Sequence, residues 1–400
     1  MTSFHENHSL LHLGQAPSRT TMKFFDDLLC QRNKKTQTVC GDYCVCERTP
    51  TGMIEVVCDG IGSGVYANIA AITCADRLLE LFRSGMSIRM AGETVAASMH
   101  RARKEDIPFS AFSAAVILPD GQFVVYSYES PNPVIMQNNH AVELVPRFYT
   151  AGFEVIGEVT GTLHTGDSLL LFSDGVSQAG MGHGLGMGIG SDGVADFINR
   201  NHRPNDSIAE LPQKIVEMCK TVSAGNHEDD TALVLLHCRE AKELTLLTGP
   251  PSEKSLDSVY ATDFNNMPGK KIICGSTTVE IVARELNYKI VTLSMGDSFR
   301  PPEYFIEGAD LVTEGAVTLN HVWNILDEPP ERLTGGSVAE RMCLMLHNAD
   351  VIHLMTGNAS NTAHEDLIFK QVGVHVRKSI IRQIVERLKT MGKLVLERGY

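Results

Sequence analysis

Four short acidic segments of this chain each border an apolar run. Cys40-Gly41-Asp42-Tyr43 opens the first run, and Val56-Val57-Cys58-Asp59-Gly60-Ile61-Gly62-Ser63-Gly64 closes the second. Leu169-Leu170-Leu171-Phe172-Ser173-Asp174-Gly175 closes the third, and Glu228-Asp229-Asp230 begins the last. A carboxylate just past a buried strand is held rigidly yet reaches a cleft. Several that converge there repel one another unless a cation neutralises them. Oxygen-only ligands favour Mg²⁺ or Mn²⁺ over zinc. Glycine after aspartate lets the backbone carbonyl approach a metal or substrate closely. One Asp-Gly is ordinarily just a turn. Four acidic segments in these settings point to a divalent-metal centre.

Other reactive patterns are weaker. Cys40, Cys44 and Cys46 fall at strand-like spacing, but the chain has no CxxC pair, so zinc spacing is not met and the ten cysteines read as reduced thiols. Cys58 lacks the Cys-x5-Arg loop of cysteine phosphatases and reads as core strand. From Gly180 to Gly190, glycine occupies every second position, which disfavours helix by about 1 kcal/mol per glycine against alanine. Strict alternation also fails the GxGxxG spacing of dinucleotide loops. In the second half, Gly275-Ser276-Thr277-Thr278 follows an apolar run and opens a helical pattern. Backbone N–H groups and hydroxyls at such a start favour anions. Thr313-Glu314-Gly315 and Thr356-Gly357-Asn358 stand at equivalent turns.

The elements that must position these residues follow from periodicity. Asp42–Arg48 and Met53–Cys58 read as a hairpin around Thr49-Pro50-Thr51-Gly52. Asn68–Phe82 and Gly92–Arg103 carry helical spacing. Ser113–Leu118, Phe123–Tyr128, Val134–Gln137, Ser168–Phe172 and Thr231–His237 read as strands. Two strand runs with helices between them imply a two-sheet α/β sandwich over residues 39–242. Residues 1–38 read as a mobile N-terminal segment with a short amphipathic piece near Met22–Leu29. After about residue 240 strands alternate with helices, which predicts a smaller α/β domain over 243–400 with a mostly parallel sheet. Gly249-Pro250-Pro251 reads as a hinge or linker. The basic tail from His375 carries Ile380, Ile381, Ile384, Leu388 and Met391 at helical spacing, read as a solvated helix rather than a membrane anchor.

Composition bounds the function. Among 400 residues, 43% are hydrophobic and 21% charged, enough for real cores. A net charge of −13 argues against a nucleic-acid partner. No apolar run approaches the roughly 18–20 residues that span a bilayer, and the N-terminus lacks a secretion signal, so no membrane partner and a cytoplasmic location are expected.

At this point the chain resembles a known family. VVCDGIGSG, GTLHTGDSLLLFSDGV and EDDTALVLL resemble the Asp-Gly-Met-Gly-x-Gly, Leu-x-x-Gly-Asp…Phe-Ser-Asp-Gly and Asp-Asp-x-Thr segments of the PPM-type metal-dependent serine/threonine protein phosphatases, in the bacterial branch typified by SpoIIE. SAFSAAVILPDGQFVVYS and ESPNPVIMQNN resemble its intervening strands, so the likeness spans about Val39 to Cys238. It implies an α-β-β-α sandwich over that span and says nothing about residues 245–400, whose α/β fold rests on periodicity alone. It also implies two Mn²⁺ or Mg²⁺ ions held by Asp42, by Asp59 as the bridge, by the Gly60 carbonyl, and by Asp174 and Asp229. A register shifted by one would make Asp230 the ligand instead. Ala232 stands where the family usually has threonine, which removes a hydroxyl but no ligand. The glycine-alternating run falls where the family carries a mobile flap.

The function implied is hydrolysis of phosphoserine or phosphothreonine on a phosphorylated regulatory protein. Water activated between two cations would be the nucleophile, with no protein nucleophile. Residues 243–400 would regulate or dock, with Gly275, Ser276, Thr277 and Thr278 as a site for a small-molecule or anionic effector. The alternative is a catalytically inactive phosphatase-like binding module whose main function lies in the C-terminal ligand-binding domain. An enzyme centred on the C-terminal turns has no catalytic constellation to support it.

Overall fold

The structure, a computed structural model, describes residues 21–296, 301–359 and 377–400. Strands and helices are numbered in chain order. β1 (Lys23–Arg32) stands apart in sequence from the hairpin β2 (Asp42–Thr49) and β3 (Gly52–Gly60). Two helices follow, α1 (Gly64–Arg83) and α2 (Ile88–Lys104), then β4 (Ser110–Ile117), β5 (Gln122–Tyr128), β6 (Val134–Gln137), β7 (His140–Glu143), β8 (Arg147–Ala151), β9 (Glu154–Thr162) and β10 (Ser168–Phe172). The short α3 (Asp174–Ser177), α4 (Gly190–Asn201) and α5 (Leu211–Val222) lead to β11 (Thr231–Glu240).

These strands form two antiparallel sheets, one ordered β2-β3-β4-β5-β9-β8 and the other β1-β11-β10-β6-β7. The sheets face each other across a layer that includes Phe25, Val57, Ile117, Val125, Leu169, Leu171, Val234 and Leu236. The outer face of the first sheet is covered by α1 and α2. On α1 the contact is made largely by Ala67, Ala70, Ala71, Cys74 and Ala75, small residues that let the helix lie close. The outer face of the second is covered by α4 and α5, through Val194, Ile198, Ile215 and Val216 against Leu170, Phe172, Leu233 and Leu235. β10 is apolar from Leu169 to Phe172 because both its faces are buried, Leu169 and Leu171 towards the other sheet and Leu170 and Phe172 towards helices. The result is the expected α-β-β-α sandwich.

The second unit begins within two residues of β11. Its strands are β12 (Glu243–Thr248), β13 (Lys270–Cys274), β14 (Val291–Ser294), β15 (Glu303–Phe305), β16 (Leu311–Thr313), β17 (Val351–Thr356) and β18 (Leu394–Gly399). They form one sheet ordered β14-β15-β16-β13-β12-β17-β18. The five strands from β16 to β18 are parallel, and β15 and β14 extend the edge antiparallel. Read in chain order the parallel strands run 3-2-1-4-5, the doubly wound arrangement. Helices α6 (Asp257–Asn266) and α7 (Ser276–Leu286) cover one face. Helices α8 (Ala316–Ile325), α9 (Val338–Asn348) and α10 (Arg377–Thr390) cover the other. Ser337 and Glu340 form a reciprocal capping box at the start of α9.

Three expectations change. Residues 1–20 lie outside the described residues, but the rest of the segment read as mobile contains β1, paired along its whole length with β11 from Lys23–Glu240 to Arg32–Thr231. The adjacent Asp26 and Asp27 hid the strand; both serve ion pairs at its rim. Gly249-Pro250-Pro251 is no hinge. It is a packed turn at the end of β12, where the Tyr260 hydroxyl donates to the Gly249 carbonyl. A Cβ on Gly357 would lie 2.0 Å from the Pro250 oxygen. The apolar positions of α10, read as part of a solvated helix, belong to the core, with Ile380, Ile384 and Leu388 fully covered. No helix among the described residues is long and apolar enough to cross a membrane.

One guanidinium ties the two units. Arg239, on β11, donates to both oxygens of Asp26 (2.7 and 2.8 Å) and to both oxygens of Asp350 (2.8 and 2.5 Å), the residue just before β17. Burial opposes ionisation of Asp350, but Arg239 and the Lys242 N–H hold its carboxyl below the usual range. Asp350→Asn should therefore lower stability by about 1–3 kcal/mol at neutral pH, measured by chemical denaturation. Because the folded carboxyl is depressed, the difference should be present above the unfolded-state value of about 3.9 and fade as pH falls below it.

Candidate metal centre

The β2–β3 hairpin sets Asp42 directly opposite Asp59 at the end away from its turn. In the other sheet, Phe172 of β10 lies opposite Leu233 of β11, so Asp174 just past β10 and Asp229-Asp230 just before β11 emerge together. Ser173 fastens this pair of strands: its N–H donates to the Ala232 carbonyl (2.9 Å) and its Oγ accepts from the Ala232 N–H (3.0 Å). Ala232 is fully buried, so its missing hydroxyl leaves that clasp, which uses backbone, intact. The sheets meet where the Asp174 N–H approaches Asp59 Oδ2 at 3.4 Å. All four expected carboxylates thus come to one seam.

The glycines after the aspartates have a packing reason. A Cβ on Gly60 would sit 2.0 Å from the Ala67 carbonyl oxygen, and one on Gly175 would sit 2.0 Å from that of Asp230. Gly41 is similarly crowded, with Asp230 Oδ2 at 2.9 Å from the same construction point. The acidic strand ends therefore lie closer together than any side chain at these positions would allow.

Electrostatically the seam is frustrated. Asp42 is 1% exposed, and neither of its oxygens has a hydrogen-bond partner among the described residues. Burial, opposed by the nearby Ser173 hydroxyl and reinforced by repulsion from Asp230, Asp174 and Asp229, pushes its carboxyl up to about 7. Burial, then Asp42 and Asp174, pushes Asp59 up to about 9. Asp174 is raised by burial as well, although Gln178 donates to its Oδ2 at 2.8 Å. Asp229 is half-exposed and faces the Lys34 ammonium at 3.3 Å, whereas Asp230 is buried and accepts the Lys34 backbone N–H at 2.9 Å. Both neighbour Asp42, so the choice between them stays open. The set is spread, not closed: no three of these carboxylates come within 4.8 Å of one another. A buried carboxylate with no partner and acidic neighbours is what a divalent cation would satisfy, so the donor set fits Mg²⁺ or Mn²⁺.

Several supporting residues were not expected. Gln31 donates to the Asp42 carbonyl (2.8 Å), and Ser110 Oγ to the Asp59 carbonyl (2.8 Å). Gln178 lies one helical turn past Asp174, a spacing that was legible; Lys34, Gln31 and Ser110 depend on strand pairing and were not. The run from Gly180 to Gly190 is a looped segment with two isolated bridges, and Met187 on it is 87% exposed. Its Gly180 and Met181 line a cavity of about 100 Å³ with Gly175, Gln178 and Asp229. Cys58 is fully buried beneath α1, with its thiol raised by burial. Gly275 begins α7 with φ +136°; Ser276 and Thr277 are exposed and Thr278 is buried. Those four residues lie on the carboxyl edge of the parallel sheet with the turns after β16 and β17.

Two outcomes follow. Gly60→Ala should unfold or severely weaken the site, because backbone rather than a movable side chain blocks the methyl; metal-induced thermal stabilisation should be lost. In metal-free protein the raised Asp42 and Asp59 carboxyls cost stability when ionised. That cost should be relieved as pH falls from about 9 towards 5, so Tm should rise over that window. Asp42→Asn should raise Tm at pH 8 in metal-free protein and flatten this dependence.

Residues 49–239 match the family model described as stage II sporulation protein E (SpoIIE); Asp59, Asp174 and Asp229 fall inside the match and Asp42 just before it. No curated protein matches the chain. Among solved structures, the PP2C phosphatase domain with a fragment of the regulatory domain of SpoIIE from Bacillus subtilis is 19% identical, with a TM-score of 0.47, over 55% of this chain and 65% of that one. The chain thus spans just under two thirds of that structure. RsbX in complex with magnesium is 17% identical (TM-score 0.40; 54% and 95% covered), and the S. agalactiae serine/threonine phosphatase is 12% identical (TM-score 0.40; 54% and 99% covered).

Proposed function

Because residues 49–239 belong to the SpoIIE family of PP2C-type phosphatase domains, we propose that this chain is a metal-dependent phosphatase acting on phosphoserine or phosphothreonine of a regulatory protein. The observation that carries the reading is Asp42, a buried carboxylate without a partner in a seam of aspartates. Asp42, Asp59, the Gly60 carbonyl, Asp174 and Asp229 would hold two Mn²⁺ or Mg²⁺ ions. When bound, such ions supply an acidified water at neutral pH and neutralise charge on the phosphoryl oxygens.

The chain's own residues set the geometry. Ser110 and the Asp174 N–H orient Asp59, and Gln178 fixes the rotamer of Asp174. Lys34 adds positive charge at the rim, where it partly offsets Asp229 and faces an incoming phosphate. The Gly180–Gly190 loop would border a bound phosphopeptide through Met181, which lines the cavity beside Gln178 and Asp229. No side-chain nucleophile is required.

The C-terminal unit is assigned regulation. Its Gly275–Thr278 turn is suited to an anionic effector, and the Arg239 tie offers the mechanical link to β11, which begins just after Asp229-Asp230. The free cysteines suit a reducing, cytoplasmic setting.

The test is hydrolysis of an aryl phosphate by the full chain. Activity should need added Mn²⁺ or Mg²⁺, survive thiol alkylation, and fall by about 100-fold or more in Asp174→Asn, with circular dichroism unchanged. An undiminished rate in excess EDTA would remove the metal from the reaction. Retained activity in Asp174→Asn would remove that residue from the site.

A further inference from the structure

A second cluster of ligand-type side chains lies midway along the β2–β3 hairpin, four residues from Asp42 towards the turn. Cys46 on β2 and Glu55 on β3 are directly opposite each other, and Asp27 on β1 reaches them from the other sheet. One atom from each, two carboxylate oxygens and the thiol sulfur, lie within 4.8 Å of one another. Glu55 is 2% exposed, and its Oε2 has no hydrogen-bond partner among the described residues. It stands in a layer otherwise built of Met53, Val57, Ile117 and Val234. A carboxyl in such a place is costly unless something satisfies it. Asp27 is 39% exposed at its side chain and gives the cluster a route to solvent.

We propose that Asp27, Cys46 and Glu55 form a second metal site, distinct from the aspartate seam, for a thiophilic divalent cation of the zinc class. Sulfur in the ligand set selects against Mg²⁺ and Mn²⁺. Three protein ligands, with water on the open Asp27 side, complete the four positions that zinc takes. Bond lengths of about 2.0–2.3 Å would draw the three atoms inward by roughly an ångström. Charge also balances: a thiolate, two carboxylates and a divalent ion sum to zero with Arg48, which pairs with Asp27 at 2.6 Å and donates to the Phe25 carbonyl. The ion would clip β1 of one sheet to β2 and β3 of the other. It would do so beside the domain junction, since Phe24 lies under both the Arg48 and Arg239 guanidinium groups.

The competing account is a neutral Glu55 resting beside a protonated Cys46 with no ion. Co²⁺ titration of the full chain in excess Mg²⁺ separates the two, because thiolate–Co²⁺ charge transfer absorbs in the near ultraviolet. The expected result is one Co²⁺ per chain with that band, displaced by Zn²⁺ and not by Mg²⁺. The band should vanish in Cys46→Ser, and affinity should drop at least about tenfold in Glu55→Gln. Should Glu55→Gln fail to fold, Asp27→Asn at the solvent side should show the same weakening. Absence of the band, its persistence in Cys46→Ser, or undiminished affinity in Asp27→Asn would overturn the site.

Discussion

Burial of carboxylates that the fold forces together, with the repulsion among them, is the constraint on which the rest of this molecule turns. Asp42, Asp59, Asp174 and Asp230 are brought to one seam by the β2–β3 hairpin, by the antiparallel β10–β11 register and by glycines that let backbones touch. Each unit of upward pKa shift in a carboxyl corresponds to about 1.4 kcal/mol of preference for the neutral form. Asp59, raised to about 9, would weigh heavily on a small domain if ionised without a counter-charge. The packed layer between the sheets, together with the helices on both outer faces, supplies the rigidity that keeps these groups in place. A frame this strong around like charges makes sense as a device for gripping cations, and the proposed chemistry follows from that grip.

Much of the frame was legible in the chain because burial on both faces leaves an unmistakable pattern. β6 and β10 read as continuous apolar runs, and α1 showed its alanine-rich face at helical spacing. β1 was not legible, since Asp26 and Asp27 interrupt its apolar residues for the sake of ion pairs with Arg239 and Arg48. The antiparallel edge β14–β15 was missed for a related reason: β14 is exposed throughout and carries no burial signal. At the site, Asp59 and Asp174 announce themselves through local motifs. Lys34, Gln31 and Ser110 could not be found that way, because what they touch is decided by strand pairing and not by neighbours in sequence. The hinge expected at Gly249-Pro250-Pro251 failed because proline and glycine also mark tight turns inside a sheet domain.

The two units are joined through polar contacts at an apolar seam. Arg239 shares its guanidinium between Asp26 and Asp350, and Leu394 and Leu396 of β18 line a cavity with Phe24, Phe25 and Met53. A change in the parallel sheet can reach β1 and β11 there. Both strands run from this junction towards the seam: β11 starts beside Asp229, and β1 ends close to Gln31, which holds the Asp42 carbonyl. This continuity of backbone supports the proposal that the C-terminal unit regulates the site.

The central claim is that the aspartate seam binds divalent cations, and Mn²⁺ binding followed by electron paramagnetic resonance tests it most directly. Titration of the full chain should show two Mn²⁺ bound per chain with the spectrum of coupled ions, and Asp42→Asn should lose the coupled signal. No binding, or a titration unchanged by Asp42→Asn, would contradict the account.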